Sequence, residues 1–466
     1  MLLLLQAAPL LVLVSLLVSG RATPVAAVLV ALALLLPAVL LSLPSGTDVP
    51  AFLLDQTLRG VFLAMMPIGV VAGGLLFHAA VTGDGAAAAA RPDPRRIFVA
   101  ILLAGTFLEG VTGFAVGAVF ALSSLRAMGL RGAPAGAMAL LALCLVPWGA
   151  LGPGTALAGA LTGLPAQRIA AATSLPNAIW LLCLGPVLWR LCAISGVPVP
   201  LGERLVQAGV LAVLAMLLAG LHLVLPFEVI GILAPGLPLL AMLWSLDPPQ
   251  GREGWLRALQ TLGPYLILTA ALLTARGWSA APAWAPFAEL PSLPITHVAV
   301  ILWLVSGLLL LRRPDGPAAA RQALARAKRP AIAMLLYVVM ARWMAGSGIA
   351  ASLAEALADA LGIAAPFAVP VLGVASGIVT GSNVGSTSAL MAVQQALGQA
   401  AGMPPMLAPT LHNFAGAAGA GMSFGATAMV CGLLADGTRP AQIWRLLLPS
   451  MGAVLAIGWI AVALSG

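Results

Sequence analysis

The sequence predicts an all-α polytopic membrane protein, with about 12 transmembrane helices plus two oppositely oriented re-entrant hairpins in an inverted repeat. Three observations lead there. Mean hydropathy is +1.08 over 466 residues, of which 61% are hydrophobic and 8% charged, a balance suited to lipid rather than to a soluble core. Apolar runs of 17 to 25 residues recur between short Gly/Pro/Arg loops, whereas an outer-membrane barrel alternates over roughly ten residues. Two longer apolar stretches, 97–130 and 365–399, are broken by glycine near their middles.

The elements follow in order. The opening run MLLLLQAAPLLVLVSLLVSGR has no basic residue before its apolar part, so it reads as a first membrane helix rather than a cleaved signal peptide. Helices over 23–43 and 60–80 precede the polar loop VTGDGAAAAARPDPRR. After the first interrupted stretch come spans at 133–163, 166–193, 203–226, 227–246, 258–276, 295–311 and 331–347. The second interrupted stretch is followed by 403–436 and 440–464. The chain thus divides into N-terminal scaffold helices (1–96), a first core half (97–202), central scaffold helices with a cytoplasmic loop (203–330) and a second core half (331–466).

Charge assigns the sides. Lys328 is the single lysine, and the arginines are scattered through short loops, which fits a topology signal and not a nucleic-acid footprint. The stretch 312–330 carries Arg312, Arg313, Arg321, Arg326, Lys328 and Arg329 against Asp315, so it is placed in the cytoplasm. Alternation then puts 18 of the 22 basic residues inside, with Arg59, Arg168, Arg276 and Arg342 outside. This corresponds to twelve spans with both termini outside. The first interrupted stretch is entered past Arg91, Arg95 and Arg96 and left at Arg126 and Arg131, so it opens to the cytoplasm. The second follows LAEALADALG, with Glu355 and Asp359 and no base, so it opens outward. Opposite orientation in the two halves is what an inverted repeat predicts.

Three segments carry the candidate chemistry. In GTFLEGVTGFAVG (105–117), Glu109 is the only carboxylate between Arg96 and Glu203. A charge near membrane mid-depth costs roughly 2.5 to 3.5 kcal/mol, so this carboxyl should be partly protonated, paired or wet. It is a candidate proton carrier, the alternative being a structural carboxyl that caps neighbouring backbone. Gly110, Thr112 and Gly113 surround it, where glycine lets the chain turn and bring amides to a ligand. In TGSNVGSTS (380–388), six of nine side chains carry a hydroxyl or an amide and none is charged. Thr380, Ser382, Asn383, Ser386, Thr387 and Ser388, with Gly381, can meet a carboxylate or a cation through neutral groups at an unwound helix start. Such backbone is tolerated at membrane depth where protein or a water-filled cavity surrounds it. The third segment is PTLHNFAGAAGAGMSFGAT (409–427), where His412 is a candidate proton partner for Glu109 or, equally, a hydrogen-bonded interior histidine, and Asn413 is a candidate ligand. His78, His222 and His297 fall at helix ends. Cys144, Cys183, Cys192 and Cys431 lie in apolar surroundings without a CxxC pair, so they read as small core residues and no metal or cofactor is expected. The sequence lacks Walker A, HExxH and GxSxG motifs, so no enzyme is expected and an ion gradient is the remaining energy source.

FLEGVTGFAVG, WGALGPGTALAGALTGLP (148–165), GPYLILTAALLTAR (263–276), SGIVTGSNVGSTSALMAVQQALG (376–398) and HNFAGAAGAGMSFGAT occur in an order that resembles the L-lactate permease family of bacterial monocarboxylate transporters, over roughly residues 60–464. The resemblance implies proton-coupled symport of a small organic anion such as lactate or glycolate across the bacterial inner membrane, with the lipid bilayer as its setting and no nucleic acid. It departs from the family at Asn383, where aspartate is usual, and at Thr387 or Ser388 in place of asparagine. Gly421 stands where a lysine is typical, and Thr173 where an arginine is. Sodium coupling, another organic anion, or a transport-dead scaffold or sensor remain alternatives on these departures, and homo-oligomerisation is left open.

Overall fold

The structure is a computed structural model that describes residues 2–465 apart from Gly20, 82–91, Phe114 and Ser279. The predicted basic loop position Arg91 lies outside the described residues. The chain is helical almost throughout. The first helices are α1 (Leu2–Val18), α2 (Pro24–Ser42) and α3 (Val49–Val81), followed by α4 (Pro94–Phe98), a π-helical segment over Val99–Gly105, α5 (Thr106–Thr112) and α6 (Val116–Ala127). Next come α7 (Gly132–Leu140), α8 (Pro153–Thr162), α9 (Ala166–Ile194), α10 (Leu201–Gly220), α11 (Phe227–Leu246) and α12 (Gly251–Gly277). The remainder is α13 (Val298–Leu310), α14 (Gly316–Gly346), α15 (Ile349–Leu361), α16 (Ala365–Thr380), α17 (Asn383–Ala400), α18 (Leu407–Gly421), α19 (Phe424–Leu434) and α20 (Pro440–Ala463). One two-residue strand pair, Ala283–Trp284 with Leu293–Pro294, closes the loop before α13.

Among the described residues, ten helical stretches are long and apolar enough to cross a membrane. Twelve were expected. The runs at 2–19 and 295–311 form helices of 17 and 13 residues, below a full spanning length. The run at 331–347 is the second half of α14 and is not among the ten, whereas Ile349–Thr380, which includes the first arm of the second interrupted stretch, is. The first half of α14, 316–330, was expected as loop because of its charge. Ala, Arg, Gln and Leu are strong helix formers, however, and the helix runs on through Pro330. α14 lies antiparallel to α3. Trp343 donates to Thr57 at 3.0 Å and Arg342 to Gln56 at 2.7 Å at one end, while Arg313 reaches the Ala79 carbonyl at 2.9 Å at the other. Arg59 joins the first end, pairing with Asp55 and Glu289.

Both interrupted stretches are helix–turn–helix hairpins. α5 ends at Gly113, whose φ of 68° is a left-handed conformation that glycine adopts without strain, and α6 starts just beyond. α16 ends at Gly381 with φ 74°, and α17 starts at Asn383. Two further breaks fall inside runs that hydropathy shows as single spans. Between α7 and α8 the chain passes through short 3-10 turns, and Ala150, Leu151 and Gly152 all take positive φ. Between α18 and α19 it turns at Met422 and Ser423. Each half of the chain therefore runs hairpin, broken helix, long helix: α5–α6, α7–α8, α9 in the first, and α16–α17, α18–α19, α20 in the second. α16 and α18 pack through glycine. A Cβ on Gly377 would run into the Gly416 carbonyl, and one on Gly419 into that of Val374, the close approach that small residues permit between membrane helices. Large apolar side chains such as Leu41, Leu201 and Met216 face outward, as expected where the surrounding solvent is hydrocarbon.

Candidate functional site

The two hairpin tips rest on the two helix breaks. At the first, a Cβ placed on Gly113 would lie 2.6 Å from the Ala150 Cβ, inside the α7–α8 break. At the second, one on Gly381 would lie 3.5 Å from Ser423 Oγ, inside the α18–α19 break. The tips differ in how their second helix is started. Ser382, in extended conformation, accepts the Gly385 amide at 2.9 Å and so caps α17 with a neutral hydroxyl. Ala115, ahead of α6, has no capping side chain and a left-handed φ of 58°. Glu109 supplies the cap instead. Its Oε1 accepts the Ala115 amide at 3.3 Å and its Oε2 the Gly117 amide at 3.2 Å, with the residue 5% exposed. A carboxylate at a helix N-terminus is favoured by the free amides and the helix dipole.

The second tip turns its polar side chains inward. Asn383 and Ser386 to Ser388 are buried, while Gly381 and Ser382 are exposed. Asn383 Nδ2 donates to Asn413 Oδ1 at 2.9 Å. Asn413 Nδ2 in turn donates to Thr155 Oγ1 and to Thr173 Oγ1, both at 3.1 Å, and Thr155 Oγ1 also reaches the Pro147 carbonyl at 2.7 Å. One buried net thus joins α17, α18, α8 and α9 without a charged side chain. It forms where α8 and α17 begin, because Gly154 sits so close to Asn383 that a Cβ there would come within 2.5 Å of Nδ2. A second chain runs alongside. Ser376 and Ser386 hydroxyls meet at 2.5 Å, and Ser386 Oγ lies 3.2 Å from His412 Nε2.

Burial leaves several polar atoms of this region without a hydrogen-bond partner: Asn383 Oδ1, Thr387 Oγ1, Thr410 Oγ1 and His412 Nδ1. Such orphans are costly and rare in folded proteins, and a ligand or water that meets them recovers that cost.

Of the residues singled out from the sequence, the structure brings Asn383 to Asn413 and Ser386 to His412. Thr380 and Ser388 donate back to the carbonyls of Ser376 and Val384, both at 2.7 Å, and Thr112 to that of Leu108 at 2.6 Å. Gly110 is a packing position, directly against the Gly231 carbonyl. Glu109 and His412 bond to different groups and do not pair with each other. His297 is the N-cap of α13, accepting the Ala299 amide at 3.2 Å, and the four cysteines are free. Thr155 and Ser376 were not anticipated as site residues. The Gly-Pro-Gly-Thr run at 152–155 was the one local sign of a helix start beside Thr155.

A chain of this helical content, with ten candidate spans and a buried polar centre built from broken helices, is a multi-pass membrane protein. Residues 294–463 match the model of the family described as L-lactate permease, which includes the segments around Asn383 and His412 and leaves the Glu109 segment outside the match. In solved structures the chain is similar to the Alcanivorax borkumensis YdaH transporter, described as having an unusual topology, at 17% identity and a TM-score of 0.46, over 90% of this chain and 87% of that one. No curated protein matches the chain.

Proposed function

We propose that the chain is a secondary active transporter that carries small monocarboxylates of the lactate or glycolate kind together with protons across a bacterial inner membrane. The observation that carries this reading is the neutral, partly unsatisfied polar centre at the paired starts of α8 and α17. First-turn amides have no intrahelical acceptor, and two helix N-termini present positive potential to one place. Thr387, buried one turn into α17, adds a hydroxyl without a partner that can donate to an anion there. A carboxylate suits such a place. The family match over 294–463 supports the same substrate class. On this reading the two hairpins enter from opposite sides, and the order hairpin, broken helix, long helix repeats inverted within a frame of about twelve spans. Glu109 is then the proton carrier, because it is the buried carboxylate at the other tip.

Purified protein in liposomes is expected to accumulate labelled lactate or glycolate under an inward proton gradient, and Glu109→Gln to abolish that coupling. Coupled uptake that persists in the variant would remove the proton role from Glu109. One observation favours a second reading. Asn383 Oδ1 and Thr387 Oγ1 are oxygen atoms without partners, which also suits a sodium ion. Replacing sodium by choline leaves uptake intact on the first reading and stops it on the second.

A further inference from the structure

At the end of the molecule where α3 finishes, a cleft of about 260 Å³ lies between the last turns of α3 and the start of α14. We propose that this cleft binds the phosphate headgroup of an anionic phospholipid. The site is separate from the polar centre and does not rest on the transport reading.

Length sets the position. At 1.5 Å per residue, the 31 residues of α14 extend roughly 46 Å, well beyond a hydrocarbon core of roughly 30 Å. Its apolar part follows Pro330, so the preceding turns lie at the headgroup level. Residues 312–329 carry six bases, Arg312, Arg313, Arg321, Arg326, Lys328 and Arg329, against the single acid Asp315. A cluster of this size beside a membrane helix attracts anionic lipid surfaces.

The cleft gives that general attraction a specific seat. Gln322 and Arg326 stand one turn apart on α14 and both line it, opposite His78 of α3. Both are exposed, and among the described residues neither makes an ion pair or a side-chain hydrogen bond within the protein. Asp315 also lines the cleft, but its carboxylate is gripped by Arg313 through bonds of 3.0 and 2.8 Å. Arg313 also ties the wall to α3 through the Ala79 carbonyl. Among the described lining residues the net charge facing a ligand is therefore positive. Leu75, Ala79 and Ala323 supply an apolar floor, which suits the glycerol and first acyl carbons of a lipid and does nothing for a free anion.

The test uses the full chain in detergent, titrated with phosphatidylglycerol, with phosphatidylcholine and with inorganic phosphate, read by thermal unfolding and by the lipid retained in native mass spectrometry. Phosphatidylglycerol is expected to raise the unfolding temperature and to remain bound, with phosphatidylcholine and inorganic phosphate giving no comparable shift. Arg326→Gln is expected to weaken phosphatidylglycerol binding about five-fold, and the double variant with Gln322→Ala further, while unfolding in phosphatidylcholine stays as in the wild type. Equal shifts with phosphatidylcholine, the same shift with inorganic phosphate, or full phosphatidylglycerol retention in the double variant would each overturn the proposal. Arg329→Gln, whose side chain does not line the cleft, controls for general loss of charge.

Discussion

The Glu109 carboxylate and the Gly117 amide, eight residues apart, meet at 3.2 Å, so the last turn of α5 holds the first turn of α6. The same side chain that is proposed to carry the proton therefore also keeps the hairpin tip closed. Protonation would weaken two charge-assisted bonds there.

These two roles separate experimentally. Glu109→Ala removes the cap and is expected to cost about 1 to 2 kcal/mol in thermal or denaturant unfolding. Glu109→Gln keeps one oxygen for one of the two amides and turns an NH2 toward the other, so it is expected to retain part of that stability while losing proton-coupled uptake. A Gln variant as unstable as the Ala variant, yet fully coupled, would reverse the assignment.

Asn413 holds three partners from three other helices. Asn413→Leu strands Asn383 and Thr173 in a buried place and leaves Thr155 only its bond to the Pro147 carbonyl, with an expected loss of about 3 kcal/mol in stability. Unfolding in detergent reads the effect, and a loss below about 1 kcal/mol would show that the net contributes little.

Glycine positions differ sharply in what they tolerate. Gly110→Ala drives a methyl into the Gly231 carbonyl, which backbone cannot evade, and should cost about 2 kcal/mol or more. Gly209→Ala on α10 meets nothing within 4 Å and should gain about 0.5 to 1 kcal/mol from helix propensity. Fluorescence-detected size exclusion after heating ranks the two, and similar behaviour would contradict the packing described.

Arg95 grips Glu203 through bonds of 2.7 and 3.1 Å, tying the start of the first hairpin arm to α10. The hydrogen bond to Glu203 holds the guanidinium above its ordinary value. A double-mutant cycle with Arg95→Ala and Glu203→Ala is expected to give a coupling of about 0.5 to 1 kcal/mol that shrinks in high salt. A salt-independent coupling would point to packing as its source.

Asp436, in the loop before α20, accepts the Thr438 hydroxyl and amide and the Gly132 amide, and the Thr438 hydroxyl chiefly holds its carboxyl below the usual carboxylate range. A depressed folded value means that the stabilisation is present above the unfolded value of 3.8 and is lost as pH falls through the folded one. The stability difference between wild type and Asp436→Asn should therefore be constant near neutrality and close in strong acid. A difference that widens on acidification would contradict the sign.

Much of the framework can be read from hydropathy and glycine. Gly113 and Gly381 mark both hairpin turns because each needs a left-handed φ inside an apolar run. The break between α7 and α8 carries a weaker mark, since Ala150 and Leu151 adopt the same conformation while leaving the hydropathy of the span unchanged. Charge misled at 316–330, where bases that suggest a loop sit on residues that favour helix. In the site, the polar density of TGSNVGSTS pointed to Asn383 and Ser386. Thr155 and Thr173 had no comparable local signal, because only the tertiary meeting of α8, α9 and α18 at Asn413 brings them together.

The neutrality of that net has an electrical consequence. Carrying one elementary charge through a membrane potential of 100 mV involves about 2.3 kcal/mol. Asn383, Asn413, Thr155 and Thr173 add nothing to that work if the polar centre moves. On the proposed cycle, an empty centre moves with Glu109 anionic, and a loaded one with Glu109 protonated and a carboxylate aboard, one negative charge in each case. Voltage then does equal and opposite work on the two legs, and accumulation follows the pH difference alone.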